Sequence, residues 1–205
     1  MKNVLAIICL LACTLVVKAQ NTPARGSSYQ DSVRSQTRSG KINIVNGTPM
    51  NSAMDFVENL TQSKNHTLFL TAVRAASMMG TLKSRGPLTV FAPTDSAFRL
   101  RMGKKLDTLV KPNHKYELIN LLSYHIISGR YDAKELAKQI KDGKGEATLL
   151  TLSGSKITAK IDSNRNIVLY DETGGQSVVS RFNIEQSNGT MHLVTQVLIP
   201  KDKAL

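Results

Sequence analysis

The side chains to weigh first for zinc or imidazole acid–base chemistry are the four histidines, His66, His114, His125 and His192. None stands in an H-x-x-x-H or H-E-x-x-H spacing, and the two cysteines, Cys9 and Cys13, both fall in an N-terminal apolar run. No zinc-type ligand set results, and no metal or other cofactor is expected. Ser153-Gly154-Ser155-Lys156 spells an S-x-x-K string, but it lies between two strand patterns and lacks the accompanying S-D-N and K-T-G strings, so it reads as a turn. With no G-x-S-x-G elbow, P-loop or G-x-G-x-x-G, the motifs of hydrolases and nucleotide-binding enzymes are missing, and a non-enzymatic role is expected.

Two other groups of residues could bind. Tyr124-His125 closes an apolar helical run, where an aromatic and an imidazole serve either as an epitope or as a buried hydrogen-bonded brace; the brace is the expectation. Arg99, Arg101, Lys104, Lys105, Lys111 and Lys115 face a single acid, Asp107, within 17 residues, a candidate patch for an anionic partner. Gly103, Pro112 and Asn113 mark that stretch as exposed loop. Lys134, Lys138 and Lys141 add a basic stripe suited to acidic polysaccharide, lipopolysaccharide or an anionic membrane face. Nucleic acid is disfavoured, since aromatics make up only 5% of the chain and leave little for a stacking platform.

The elements that must position these residues turn on Leu88 to Phe98. Thr89-Val90-Phe91 is a strand pattern that Pro93 should end; Thr94 then offers an N-cap hydroxyl, Asp95 a carboxylate in the first turn, and Phe98 a core contact one turn in. The run Thr-Val-Phe-Ala-Pro-Thr-Asp-x-Ala-Phe resembles the first signature block of the fasciclin (FAS1) domain family. Leu122 to Tyr131 resembles its tyrosine-histidine block, and Ser187-Asn188-Gly189-Thr190-Met191-His192-Leu193-Val194 its second signature block. The resemblance covers roughly Met50 to Pro200. It implies an α+β fold, a compact β-sandwich-like wedge with helices packed around it. It also implies adhesion through cell-surface or matrix protein, with integrin recognition linked to the tyrosine-histidine block in animal members and the histidine helping to order the core. Thr94, Asp95, Phe98, Tyr124, His125, Asn188, Gly189 and His192 are the motif and adhesion candidates. Where the family often has an acidic residue in the last block, this chain has Thr195.

The N-terminus reads as a secretory signal over residues 1–19, with Lys2, the apolar run Val4 to Val17 and the Val17-Lys18-Ala19 junction. That run is shorter than the roughly 20 residues of a spanning helix, so no transmembrane segment is expected. Leu10-Leu11-Ala12-Cys13 also resembles a lipoprotein box, which would anchor the chain at Cys13 instead. Removing residues 1–19, with Lys2 and Lys18 and no acid, leaves +10 of the formal charge of +12 and no thiol. Residues 20–49 read as a flexible leader in which Ile42 to Val45 could add an edge strand, 50–200 as the domain, and 201–205 as a tail.

Inside the domain, Met54, Val57 and Leu60, capped by Asn51 or Ser52, and then Leu68, Phe69, Val73 and Ala76 predict two helices. Tyr116 to Leu122 predicts a buried helix, and Asp132 caps another that ends near Gly143 and Gly145. Ala147–Leu152 and Ile157–Ile161 form a hairpin; Ile167–Tyr170, Val178-Val179, Ile184 and Met191–Ile199 supply the remaining strands. Asn188-Gly189 reads as a turn with glycine at positive φ. The sequence thus describes an exported adhesion or surface-attachment module meeting a protein or an acidic glycan. The alternative is a soluble periplasmic carrier or polysaccharide-binding module. The N-x-[ST] strings at Asn46, Asn59, Asn65 and Asn188 are possible glycan acceptors.

Overall fold

A computed structural model describes residues 39–83 and 86–201. The signal reading over 1–19, the Cys13 alternative, leader residues 20–38 and most of the 201–205 tail lie outside the described residues. The described chain opens with strands β1 (Ile42–Val45) and β2 (Thr48–Asn51), joined by Asn46 and Gly47 at φ 48° and 78°. Positive φ at both positions matches the twist of a tight hairpin. This hairpin is a separate two-stranded sheet, and it straddles the point at which helix was expected to begin. Met50 is buried in a strand, and helix α1 (Phe56–Gln62) is capped by Asp55 in a capping box with Glu58, not by Asn51 or Ser52. Asn51 and Ser52 instead tie the hairpin, accepting from the Ala53 and Lys41 amides.

Helices α2 (Thr67–Ala75) and α3 (Met79–Lys83) follow, then β3 (Leu88–Pro93), α4 (Asp95–Met102), α5 (Lys105–Leu109), a 3₁₀ turn at Pro112–His114, α6 (Lys115–Tyr124), β4 (Ile126–Ser128) and α7 (Ala133–Asp142). Asp132 caps α7 at the Glu135 amide. β5 (Glu146–Leu150), β6 (Lys156–Ile161), β7 (Ile167–Tyr170), β8 (Gln176–Gln186) and β9 (Gly189–Val194) complete a seven-stranded sheet in the order β4-β3-β9-β8-β7-β6-β5. Among the described strands only β3 and β9 pair in parallel, from Leu88 opposite Gly189 to Pro93 opposite Val194. A bridge from Ile127 to Thr151, and the Leu152 amide on the Ile126 carbonyl at 2.8 Å, bring the two ends of the sheet together. The result is a barrel-like α+β wedge.

β3 and β9 are buried on both faces. Alternation sends Phe91 and Val194 to the core of the wedge with Tyr124, Leu149, Ile157 and Leu169. Val90, Ala92, Met191 and Leu193 go to the core under the helices, with Phe56, Leu60, Phe69, Phe98 and Leu122.

Several expectations are corrected. β3 ends at Pro93 as expected, but the last strand stops at Val194 and not at Ile199; Val197 and Leu198 stay buried in a strap beyond it. Val178 to Ile184 lies in one long strand, irregular between Val179 and Ile184, with Asn183 at φ 58°. α6 buries Leu118, Leu121 and Leu122, but Tyr116 is 87% exposed. The helix expected after Thr94 forms over Asp95–Met102, but the basic stretch beyond it is not all loop: α5 and the 3₁₀ turn occupy much of it, because Leu106 supplies an inward contact that Gly103, Pro112 and Asn113 do not reveal.

Candidate functional site

At the end of α6, Tyr124 is fully buried and its hydroxyl donates to the Lys156 carbonyl (2.7 Å) while accepting from the Glu172 amide (3.1 Å). Burial pushes its pKa up, since the phenolate would lose its water. His125 is 1% exposed. The Leu198 amide donates into its Nε2 (3.0 Å), so the neutral ring carries its proton on Nδ1 and donates it to the Leu121 carbonyl (2.8 Å). Desolvation pushes its pKa down to about 4, against the opposing pull of Asp171. Both residues therefore brace the fold: one pins the β6 start and the turn after β7, the other pins the C-terminal strap.

Sequence reasoning missed the group beside them. Asp171, its side chain 1% exposed, accepts through Oδ1 from the Thr173 amide and hydroxyl and the Gly175 amide. Its Oδ2 accepts from the Ile199 amide (3.0 Å) and lies 3.7 Å from Arg101 Nη2. Glu172 accepts from the Lys156 and Lys201 amides. The legible signal was the Asp-x-Thr-Gly-Gly order, a side chain that caps its own turn. This ion pair engages one member of the cationic patch, Arg101, whose side chain stays one-third exposed.

The second signature block serves the interior as well. Asn188 accepts from the Phe56 amide (3.3 Å) and donates to the Leu82 carbonyl (2.8 Å). Gly189 is not at positive φ. It is glycine because a Cβ there would sit 2.1 Å from the Leu88 carbonyl oxygen and 2.7 Å from the Phe56 ring. His192 donates to the Tyr131 carbonyl (2.7 Å), accepts from the Asn183 amide (3.3 Å) and stacks on Phe91; desolvation pushes its pKa down. Thr195 stands where the resemblance implies an acid, and its hydroxyl takes the Val178 amide at 3.0 Å. Of the N-x-[ST] strings, Asn59 and Asn188 are buried with their amide nitrogens engaged, which excludes both as glycan acceptors in the folded chain. Ser153 to Ser155 lie in the β5–β6 connection, and Lys156 opens β6.

In the first block Thr94 caps α4, accepting from the Ala97 amide, and Phe98 packs on Phe69 with ring centroids 6.3 Å apart. Asp95 does more than sit in a first turn. Its carboxylate accepts from the Leu68 amide (2.9 Å) and the Thr67 hydroxyl (2.7 Å), capping α2 from another helix. Ser63, His66 and Asp95 consequently gather in a catalytic-looking trio, with Ser63 Oγ 2.7 Å from His66 Nδ1. The geometry is not that of a triad. Asp95 is taken up by α2, His66 Nε2 is buried with no partner, and Ser63 is buried beside it. Among the described residues no three His, Cys, Asp or Glu side chains converge as metal ligands. No helix among them is long and apolar enough to cross a membrane.

Arg99, Lys104, Lys105, Lys111 and Lys115 are all exposed along α4 to α6. Lys134, Lys138 and Lys141 are exposed on α7.

Comparison with known proteins places these observations. A family model described as the Fasciclin domain matches residues 64–200. Protein sll1483 of Synechocystis sp. is 29% identical over 160 residues, 78% of this chain and 81% of that protein. Human periostin is 28% identical over 167 residues, 82% of this chain but 18% of periostin. A solved FAS1 domain pair from the insect cell adhesion molecule Fasciclin I shares the fold with a TM-score of 0.62 at 18% identity, covering 71% of this chain and 51% of that one.

Proposed function

Because the chain belongs to the fasciclin domain family, we propose that it is an exported, non-enzymatic module that mediates adhesion or surface and matrix attachment through protein or glycan contacts. In this reading residues 1–19 direct export, the leader ends before the β1–β2 hairpin, whose Val45 and Met50 join the core, and the hairpin together with the rest of 50–200 is the working domain, secreted or periplasmic. The observation that carries it is a division of labour. Tyr124, His125, Asn188 and His192 are engaged inside the wedge, which leaves recognition to the outside, and there five cations of α4 to α6 stand exposed. An anionic partner, such as an acidic glycan, fits that face.

Retention on immobilised heparin tests the reading with Lys104→Glu/Lys105→Glu. Both positions open α5, where a carboxylate suits the helix dipole, so the fold should be untouched and stability should change by under about 0.5 kcal/mol. The parent should elute later than the variant, and the gap should close as salt passes about 0.15 M, where the screening length is about 8 Å. Equal retention at low salt would make the face an ordinary solvated surface.

A further inference from the structure

Leu100 and Tyr116 are 73% and 87% exposed, on the same run of helices as the five cations. Each sits two residues from a fully buried neighbour, Leu100 after Phe98 and Tyr116 before Leu118. At 100° per residue, roughly 200° separates each from its neighbour, so both point almost directly away from the core that α4 and α6 share. Each has an exposed cation as its immediate neighbour in the chain, Arg99 beside Leu100 and Lys115 beside Tyr116, so apolar and basic side chains leave these two helices together.

We propose that this face docks on an anionic lipid bilayer, with Leu100 and Tyr116 entering the interface and Arg99, Lys104, Lys105, Lys111 and Lys115 meeting the headgroups. The inference rests on the reading that the partner of this face is anionic. It goes further by selecting a surface that offers apolar depth together with negative charge, which a polysaccharide chain does not. The chemistry is matched at both levels. Tyrosine settles at bilayer interfaces with ring inside and hydroxyl outside, and each basic residue near an anionic leaflet contributes attraction that salt weakens. Apolar side chains immersed to the acyl boundary add a component that salt does not remove.

The chain contains no tryptophan, so Tyr116→Trp installs a single fluorophore at the proposed contact. With phosphatidylglycerol vesicles its emission should shift to the blue, with phosphatidylcholine vesicles it should not, and with heparin it should stay at the solvent-exposed wavelength. Leu100→Ala/Tyr116→Ala should weaken partitioning onto phosphatidylglycerol vesicles by about tenfold while leaving heparin retention unchanged. Unshifted emission from the Tyr116→Trp variant on anionic vesicles, with heparin still retained, would overturn the lipid inference and leave the anionic-partner reading standing. Loss of neither vesicle nor heparin binding in the alanine pair would equally remove the apolar crests from the contact. Failure to bind heparin and vesicles alike would end both readings.

Discussion

His66, His125 and His192 are held in the interior, where burial works against a charged ring. Burial disfavours their charged forms more than Asp95, Asp171 and Asp132, respectively, favour them. His125 is the most constrained: protonation of Nε2 would turn the acceptor of the Leu198 amide into a second donor facing it. The linkage has a definite sign. For His66 and His125 the folded pKa is about 4 against an ordinary 6.5, so the unfolded chain takes up protons first. Their contribution to stability is complete above pH 6.5 and is lost as pH falls toward 4, at up to about 1.4 kcal/mol per pH unit for each ring. Urea midpoints measured at pH 7.5, 6 and 5 should fall steadily, and a flat profile over that range would contradict the buried neutral assignment. At pH 7.5 His125→Ala should cost about 1–3 kcal/mol through the stranded Leu198 amide. Position at a helix end made His125 legible as a brace, but its partner lies 73 residues away.

At the scale of elements, helices here borrow their ends from one another. α2 has His66 at its N-cap position without a side-chain cap bond, and Asp95 supplies the missing acceptor from the first turn of α4. The sequence argues for Asp95 through the dipole of its own helix, which is sound, but the distances assign its oxygens to α2. Asp95→Ala should therefore cost about 1–2 kcal/mol. It should also speed amide exchange at Leu68 in α2, while α4 keeps its Thr94 cap. Accelerated exchange confined to α4 would show that the local-dipole role dominates. α5 illustrates the opposite limit. Five residues cannot sustain a helix alone, and Leu106 and Leu109 docking against the core under the helices make one.

At the scale of the molecule, the wedge is closed by contacts between parts far apart in sequence. The strap after β9 has no strand partner in the register of the sheet. Even so, the Leu198, Ile199 and Lys201 amides are taken by His125, Asp171 and Glu172, and Val197 and Leu198 are buried. Ending the chain at Gln196 removes all of this at once. It should cost at least about 3 kcal/mol, the scale of deleting one large core side chain, and broaden the thermal transition. A chain ending at Lys201 should melt like the parent, and equal melting of the two truncations would mean that the strap carries no stability.

What the sequence by itself determined is local. Period-two and helical apolar spacing, Asp132 and Thr94 at helix starts, and turn residues at Ser153–Ser155 and Gly174-Gly175 specify the α+β order, and three blocks of residue types point to the family. These features act within a few residues of chain, where propensity and capping operate. Tertiary structure decided the parallel pairing of β3 with β9, the steric rather than conformational reason for Gly189, the recruitment of Arg101 by buried Asp171, and the outward crests at Leu100 and Tyr116. Each depends on which distant backbone or side chain arrives beside a residue, and burial of both faces of one strand is set by what packs above and below it, not by the strand's own pattern.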